Sequence, residues 1–295
     1  VNSAEVAATL REQFPELGQL PVTRLGEGED HVAFDVGGRF VFRFPKNEAL
    51  SGALRVEVRL LAWLAPHLPL PIPEYRFLGR PGARFPRGYA GYPKLPGVPA
   101  LLAPAAPLHF AHTGRRLGEF LRALHDQSVH EAAALGLDSE DDDVLGGWSS
   151  EALDDLSFAL ARGFVSPAEA ARWAHALKTP PAVPPATARV LHGDFAAEHV
   201  LLDGNGVPCS VIDWSDAALG DPARDFAGLV HWGGARLLTA ALDAYGDLGE
   251  GGVERARWFA LCRALGDLKF GETLGRAEYL RAGQRALAWL AEDFY

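Results

Sequence analysis

The chain contains no methionine and only two cysteines, Cys209 and Cys262, among 295 residues. Two cysteines make neither a disulfide framework nor a metal cluster. The missing methionine has no physical explanation in the sequence. There is no block of lysine or arginine, and the formal net charge is -10, so nonspecific nucleic-acid binding is not expected. No apolar run reaches the length of a bilayer-spanning helix. The most apolar segment, Val98 to Leu108, is short and holds three prolines. The N-terminus lacks the basic and apolar regions of a signal peptide. It reads instead as an amphipathic helix, with Asn2 and Glu5 spaced as a capping box. No internal repeat is present. These absences leave a cytoplasmic monomer, with no membrane or nucleic-acid partner, as the expectation.

What is present is an ordinary globular composition, 48% hydrophobic and 22% charged, in a chain long enough for two lobes. Residues 1–95 read as three strands, a helix and two more strands. Pro21 to Gly26 is the first run. His31 to Val36 follows with Val32, Phe34 and Val36 alternating, and Gly37-Gly38 supplies a two-residue hairpin turn. The third strand sets Phe40, Phe42 and Phe44 on one face and Val41 and Arg43 on the other. Glu48 to Ala65 has helical apolar spacing at Leu54, Val58, Leu61 and Ala62, and the proline-rich stretch from Pro66 to Pro73 stops it. Tyr75 to Leu78 and Gly88 to Leu95 complete the set. After Pro96-Gly97 the chain turns mostly helical. Leu117, Phe120, Leu121 and Leu124 form a stripe, Ser166-Pro167-Ala168-Glu169 starts a helix, and Asp221-Pro222 starts another. The expected fold is α+β and bilobal: a nucleotide-binding lobe over 1–95, built on a small antiparallel five-stranded sheet, and a larger, mainly helical lobe over 96–295. The cleft between the lobes is the natural nucleotide site.

The stretch His192-Gly193-Asp194-Phe195-Ala196-Ala197-Glu198-His199 carries the chemistry, with Asp213 nineteen residues after Asp194. Phosphoryl transfer needs an acceptor for the nucleophile's proton, a metal-binding side chain and a second carboxylate on the metal. Kinase catalytic loops place the first two five residues apart and bring the third from a later hairpin. Asp194, His199 and Asp213 reproduce that spacing between the apolar runs Arg189-Val190-Leu191 and Val211-Ile212. Asp194 is the expected base and Asp213 the expected Mg²⁺ ligand. His199 stands where asparagine is usual, and Mg²⁺ prefers oxygen, so it either binds the metal, holds a water of its shell or supports the loop. His192 is expected to brace that loop, and Gly193 to allow its tight path.

Arg43 is placed to clamp phosphates, with Glu57 in the following helix as its partner and Glu48 too near the strand end. Val41, on the same face, would line the base pocket. Gly26 and Gly28 lie in a turn (Gly26-Glu27-Gly28-Glu29-Asp30-His31) whose backbone N–H groups could approach phosphate. Asp221, Arg224 and Asp225 read as structural, with Asp221 as a helix cap. Asp216 is open between an accessory group and a solvated one. His125, closing its helix, reads as a satisfied core histidine. The run Glu140-Asp141-Asp142-Asp143 reads as a solvated loop that could also attract an amine.

Taken together these residues resemble the aminoglycoside phosphotransferase family, most closely its 2''-phosphotransferase branch, over nearly the whole chain. Phe42-Arg43-Phe44-Pro45-Lys46 and Leu68-Pro69-Leu70-Pro71-Ile72-Pro73 resemble that branch's small lobe. Tyr92-Pro93-Lys94-Leu95-Pro96-Gly97-Val98-Pro99 resembles its hinge, which adds Tyr92 and Lys94 to the nucleotide contacts. His192 to Asp203 and Ile212 to Phe226 resemble its catalytic and metal segments, and histidine at position 199 is shared with it and with macrolide kinases. Arg43 in place of lysine and Gly193 in place of asparagine are the departures. The resemblance implies a protein-kinase-like fold and transfer of the γ-phosphoryl group of ATP or GTP, with Mg²⁺, to a hydroxyl of a small, cationic acceptor such as an aminoglycoside. Glu272 and Glu278 are candidate contacts for such an acceptor. Trp232, Trp258 and Phe270 would serve an apolar one instead. A macrolide or metabolite kinase, and a silent nucleotide-binding protein, are the alternatives.

Overall fold

The computed structural model describes residues 1–28, 30–103, 109–140, 143–182 and 188–293. Glu29 of the glycine turn, Asp141 and Asp142 of the acidic run, and parts of the Val98–Leu108 and Lys178–Thr187 segments lie outside the described residues.

The first helix, α1 (Ser3–Gln13), opens on the expected capping box: Asn2 accepts from the Glu5 backbone, and the Glu5 carboxylate accepts from the Asn2 N–H. Five strands follow, β1 (Val22–Glu27), β2 (His31–Val36), β3 (Phe40–Pro45), β4 (Phe77–Gly79) and β5 (Tyr89–Pro93), with helix α2 (Glu48–Leu64) between β3 and β4. They pair antiparallel in the order β1-β2-β3-β5-β4. Register follows from the alternation. Val32, Phe34 and Val36 pair with Phe44, Phe42 and Phe40, so their large side chains share one face and build an aromatic core. Phe44 stacks on Tyr89 at 4.5 Å, and Phe34 meets Phe44 edge-on at 5.7 Å. Pairs of this kind contribute roughly 0.5–1.5 kcal/mol each beyond their area. The opposite face carries His31, Ala33, Arg43 and Val41. The fourth strand lies slightly later than its apolar run, at Phe77–Gly79 rather than Tyr75 to Leu78, because Tyr75 is drawn to Glu57.

The remaining elements are mostly helical: α3 (Phe110–His125), α4 (Val129–Ala134), α5 (Val144–Ala161), α6 (Pro167–Lys178), α7 (Ala223–Tyr245), α8 (Gly252–Leu274) and α9 (Ala277–Asp293). Leu117, Phe120, Leu121 and Leu124 are all fully buried, on the stripe the sequence shows. Ser166 and Glu169 form the second capping box. Five short strands sit among the helices: β6 (Val98–Pro99), β7 (Arg189–Leu191), β8 (Val200–Leu202), β9 (Pro208–Val211) and β10 (Ala218–Gly220). Strands β6, β8 and β10 are too short to show an alternating pattern in the sequence.

The large apolar core does not stop at residue 95. Leu60, Leu61 and Leu64 of α2, with Leu70 and Ile72 after it, pack into the helical core, while the sheet keeps a separate cluster of its own. Thus α2 is anchored to the helical core at its C-terminal end and presents Glu57 to the sheet. No helix among the described residues is long and apolar enough to cross a membrane.

Candidate active site

Strand β7 delivers His192, Gly193 and Asp194 to the cleft, and a buried carboxylate holds their backbone in place. Asp225, in the first turn of α7, accepts from His192 N at 2.9 Å and Gly193 N at 2.8 Å. His125, at the end of α3, lies 3.0 Å from Asp225 with Nε2 and 3.0 Å from the Tyr245 hydroxyl with Nδ1. It is the satisfied core histidine the sequence suggests. Burial works against the Asp225 charge, yet the bond from His125 and the backbone donors outweigh it and hold its pKa below the usual value. His192 Nε2 meets the Ile212 carbonyl at 3.0 Å, and its Nδ1 faces Asp194 N at 3.3 Å, so it braces the loop as expected. Gly193 has φ +83°, and a Cβ there would overlap the Asp216 carbonyl.

Asp194, His199 and Asp213 come together. His199 Nδ1 lies 2.8 Å from the Asp194 carbonyl, which makes it the donor and leaves Nε2 facing Asp213 Oδ2 at 3.6 Å. Among the described residues no group of three or more His, Cys, Asp or Glu side chains is arranged to hold a metal. Asp213 has φ +62°, a left-handed conformation found at no other described non-glycine residue. Burial would lower the His199 pKa, but Asp194, Glu198 and Asp213 around it outweigh burial and raise it.

Arg43 joins the sheet to the metal carboxylate. Its Nη1 donates to Glu57 Oε1 at 2.6 Å, and its Nη2 to Asp213 Oδ1 at 3.1 Å and Ser215 Oγ at 2.7 Å. Tyr75, a residue the sequence reading did not single out, donates to Glu57 at 2.8 Å. Glu57, not Glu48, is thus the partner. Gly28 and His31 line the same cleft, whereas Gly26 lies beside a bulge in β1. Val41, Tyr92 and Lys94 lie on Arg43's sheet face but outside the cavity. Tyr92 packs edge-on against Tyr75 at 5.2 Å, and Lys94 is engaged by Asp35 at 2.6 Å.

The cavity, about 600 Å³, opens from these residues toward α5, α8 and α9. Its far wall carries Glu151, Asp155, Asp267, Trp148, Phe270 and Tyr279. Several acceptor expectations fail here. Glu272 pairs with Arg162 and Glu278 with Arg276, both outside the cavity. Trp258 is buried with its N–H on the Ala176 carbonyl, and Trp232 is buried away from this cavity. Phe270 does reach it. Of the acidic run, Glu140 pairs with Arg224 at 2.7 Å and Asp143 caps α5, so neither is a free amine contact. Asp221 caps α7 through Ala223 N at 3.0 Å and pairs with Arg255. Asp216 lines the cavity; burial, and then the nearby Asp194, raise its pKa. The residue that sequence reasoning missed entirely is Arg263 of α8, which pairs with both Asp194 and Glu198. Burial would raise the Asp194 pKa, but Arg263 and then His199 hold it well below the usual carboxylate range.

A five-stranded sheet and a helical core, with Asp194, His199, Asp213 and the Arg43–Glu57 pair at the cleft between them, define a protein-kinase-like fold. The chain belongs to the Phosphotransferase enzyme family (APH), whose pattern it matches over residues 21–259. It is 38% identical to the viomycin phosphotransferase of Streptomyces vinaceus over 91 residues, 28% of this chain and 32% of that protein. It is 25% identical to the Bacillus subtilis protein YcbJ over 202 residues, 65% of this chain and 62% of that one. Each match thus spans less than two thirds of the relative. Among solved structures, the GDP complex of aminoglycoside 2'-phosphotransferase-IIIa has the same fold, with a TM-score of 0.77 and 23% identity over 100% of both chains.

Proposed function

We propose that the protein transfers the γ-phosphoryl group of ATP or GTP to a hydroxyl of a small cationic acceptor, in the manner of an antibiotic phosphotransferase. The observation that carries this reading is the juxtaposition of Asp194, His199 and Asp213 at the edge of a cavity whose other wall bears Glu151, together with Asp155 paired to Lys269 at 2.5 Å and Asp267 facing His231 at 3.0 Å. Kanamycin and viomycin are acceptors of the right chemistry, since the relatives' names include a viomycin phosphotransferase and a kanamycin complex of a structural neighbour.

Asp194 orients the acceptor hydroxyl and takes its proton. Its low pKa makes it a weak base, which suits a loose transition state in which positioning outweighs proton abstraction. Arg43 steadies the phosphates while Glu57 and Tyr75 fix its guanidinium, and Gly28 lets backbone approach them. Val41, Tyr92 and Lys94 border the nucleotide's base side. His199 and Asp213 would hold Mg²⁺, which would supply charge neutralisation for the transferring phosphoryl group. Asp216 stands beside the acceptor path.

Nucleoside diphosphate release tests this. With ATP or GTP and Mg²⁺, release should be stimulated by kanamycin, viomycin or another amine-bearing alcohol of a panel. Stimulation by uncharged alcohols alone would move the acceptor class, and binding of nucleotide with no turnover under any condition would leave a silent protein.

A further inference from the structure

One cation in the cleft has no part in the reaction as described. Arg263 reaches Asp194 Oδ1 with Nη1 and Glu198 Oε1 with Nη2. The other Asp194 oxygen faces His199 Nδ1 at 3.3 Å. Arg263 thus covers one carboxylate oxygen of Asp194 before any acceptor arrives, while the His199 Nδ1 proton goes to the Asp194 carbonyl. One turn further along α8, Asp267 lines the same cavity, at the i,i+4 spacing that lets an arginine and an aspartate meet on one helix face. Asp267 lies 3.0 Å from His231 Nε2, and its charge already bears on Arg263. Arg263 Nε has no hydrogen-bond partner among the described residues. The guanidinium thus has a second carboxylate within the reach of one side chain.

We infer that Arg263 is the residue that discriminates the acceptor from water: it holds Asp194 in the resting enzyme and moves toward Asp267 when a cationic acceptor brings its own charge to Asp194 and Glu198. The inference rests on the phosphotransfer reading above. Removing one partner of a buried ion pair is costly because the other charge stays behind unpaired. Water carries no charge to offset that loss, so Asp194 remains covered and hydrolysis of the nucleotide is slow. An ammonium or guanidinium group on the acceptor offsets it, and the neighbouring hydroxyl then reaches Asp194. In the transfer that follows, the acceptor oxygen bonds to the γ-phosphorus as the bond from that phosphorus to the β–γ bridging oxygen breaks. The electron pair leaves with the nucleoside diphosphate, and the hydroxyl proton passes to Asp194. With water as acceptor the same balance gives inorganic phosphate.

Arg263→Gln tests the idea on the full chain with Mg²⁺ and ATP or GTP and no acceptor. Release of inorganic phosphate should rise about tenfold over the parent, the factor that corresponds to about 1.4 kcal/mol. The KM for the best acceptor of the kanamycin and viomycin panel should fall. Asp267→Asn removes the second perch and should raise that KM. Loss of function in a misfolded variant cannot produce a gain in hydrolysis or KM changes of opposite sign. If Arg263→Gln lowers hydrolysis and transfer together, or if the two variants move KM in the same direction, the inference is overturned. A parent protein that neither transfers nor hydrolyses would instead overturn the phosphotransfer reading on which it stands.

Discussion

At the scale of single residues, the site depends on a few charges held in a fixed order: Glu57, Arg43, Asp213, His199, Asp194, Arg263. His31 shows how strict that order is. Its Nδ1 lies 3.2 Å from Arg43 Nη2, so it must accept a hydrogen bond and stay neutral. Burial, and then the Arg43 charge, push its pKa down from 6.5 to about 3. A histidine with a depressed folded pKa binds fewer protons folded than unfolded between those values, so stability falls as pH drops below 6.5. His31→Asn keeps an acceptor without titrating. Urea unfolding at stepped pH should show the parent losing stability relative to His31→Asn as pH falls, and a gap that does not change with pH would contradict this. The two residues proposed to hold the metal differ in chemistry. Asp213→Ala should weaken Mg²⁺-dependent nucleotide binding more than His199→Ala does, because a carboxylate neutralises the metal and an imidazole suits Mg²⁺ poorly. With Mn²⁺ the His199→Ala defect should change in size, and an equal defect with both metals would make His199 a loop support. Asp194, His199 and Asp213 were legible because their spacing is local. Arg263 was not, since 69 residues separate it from Asp194 and no pattern in α8 distinguishes it from a surface arginine.

At the scale of elements, the catalytic loop is held mainly by α7, which approaches it backbone to backbone. A Cβ at Gly228 would overlap the Phe195 carbonyl, so glycine is what allows the contact. Gly228→Ala should cost about 1–3 kcal/mol, the usual range for overpacking, and should lower kcat as well as Tm because the loop must shift. An unchanged Tm with unchanged kcat would show that the contact is slack. The long elements were readable from apolar period: the stripe of α3, the alternation of β2 and β3 and both capping boxes lie where the sequence puts them. The short strands β6, β8 and β10 and the shift of β4 were not, because two or three residues carry no period and tertiary partners such as Glu57 decide their position. The acceptor wall was misread for the same reason. Glu272 and Glu278 are acidic and helical, but which face of α8 and α9 meets the cavity is set by packing against α5 and α7.

At the scale of the whole molecule, a five-stranded sheet faces a helical wall across the cavity, with α2 anchored in the helical core and offering Glu57 to Arg43 of the sheet. Glu151, Asp155, Asp216 and Asp267 give the cavity its acidic character. Since the cavity is open to solvent, attraction to a cationic acceptor should be screened by salt. KM for the best acceptor should therefore rise between low and physiological ionic strength, and a flat response would remove the electrostatic account of recognition. The central claim, that Asp194 directs a γ-phosphoryl group to an acceptor hydroxyl, is tested most directly by mass analysis of the acceptor after incubation with Mg²⁺ and ATP or GTP. The parent should add one phosphoryl group to a cationic acceptor of the panel, and Asp194→Asn, still folded and still binding nucleotide, should do so about two orders of magnitude more slowly or less, as expected for loss of a positioned general base. Equal rates of phosphorylation by parent and variant at saturating acceptor would contradict the account.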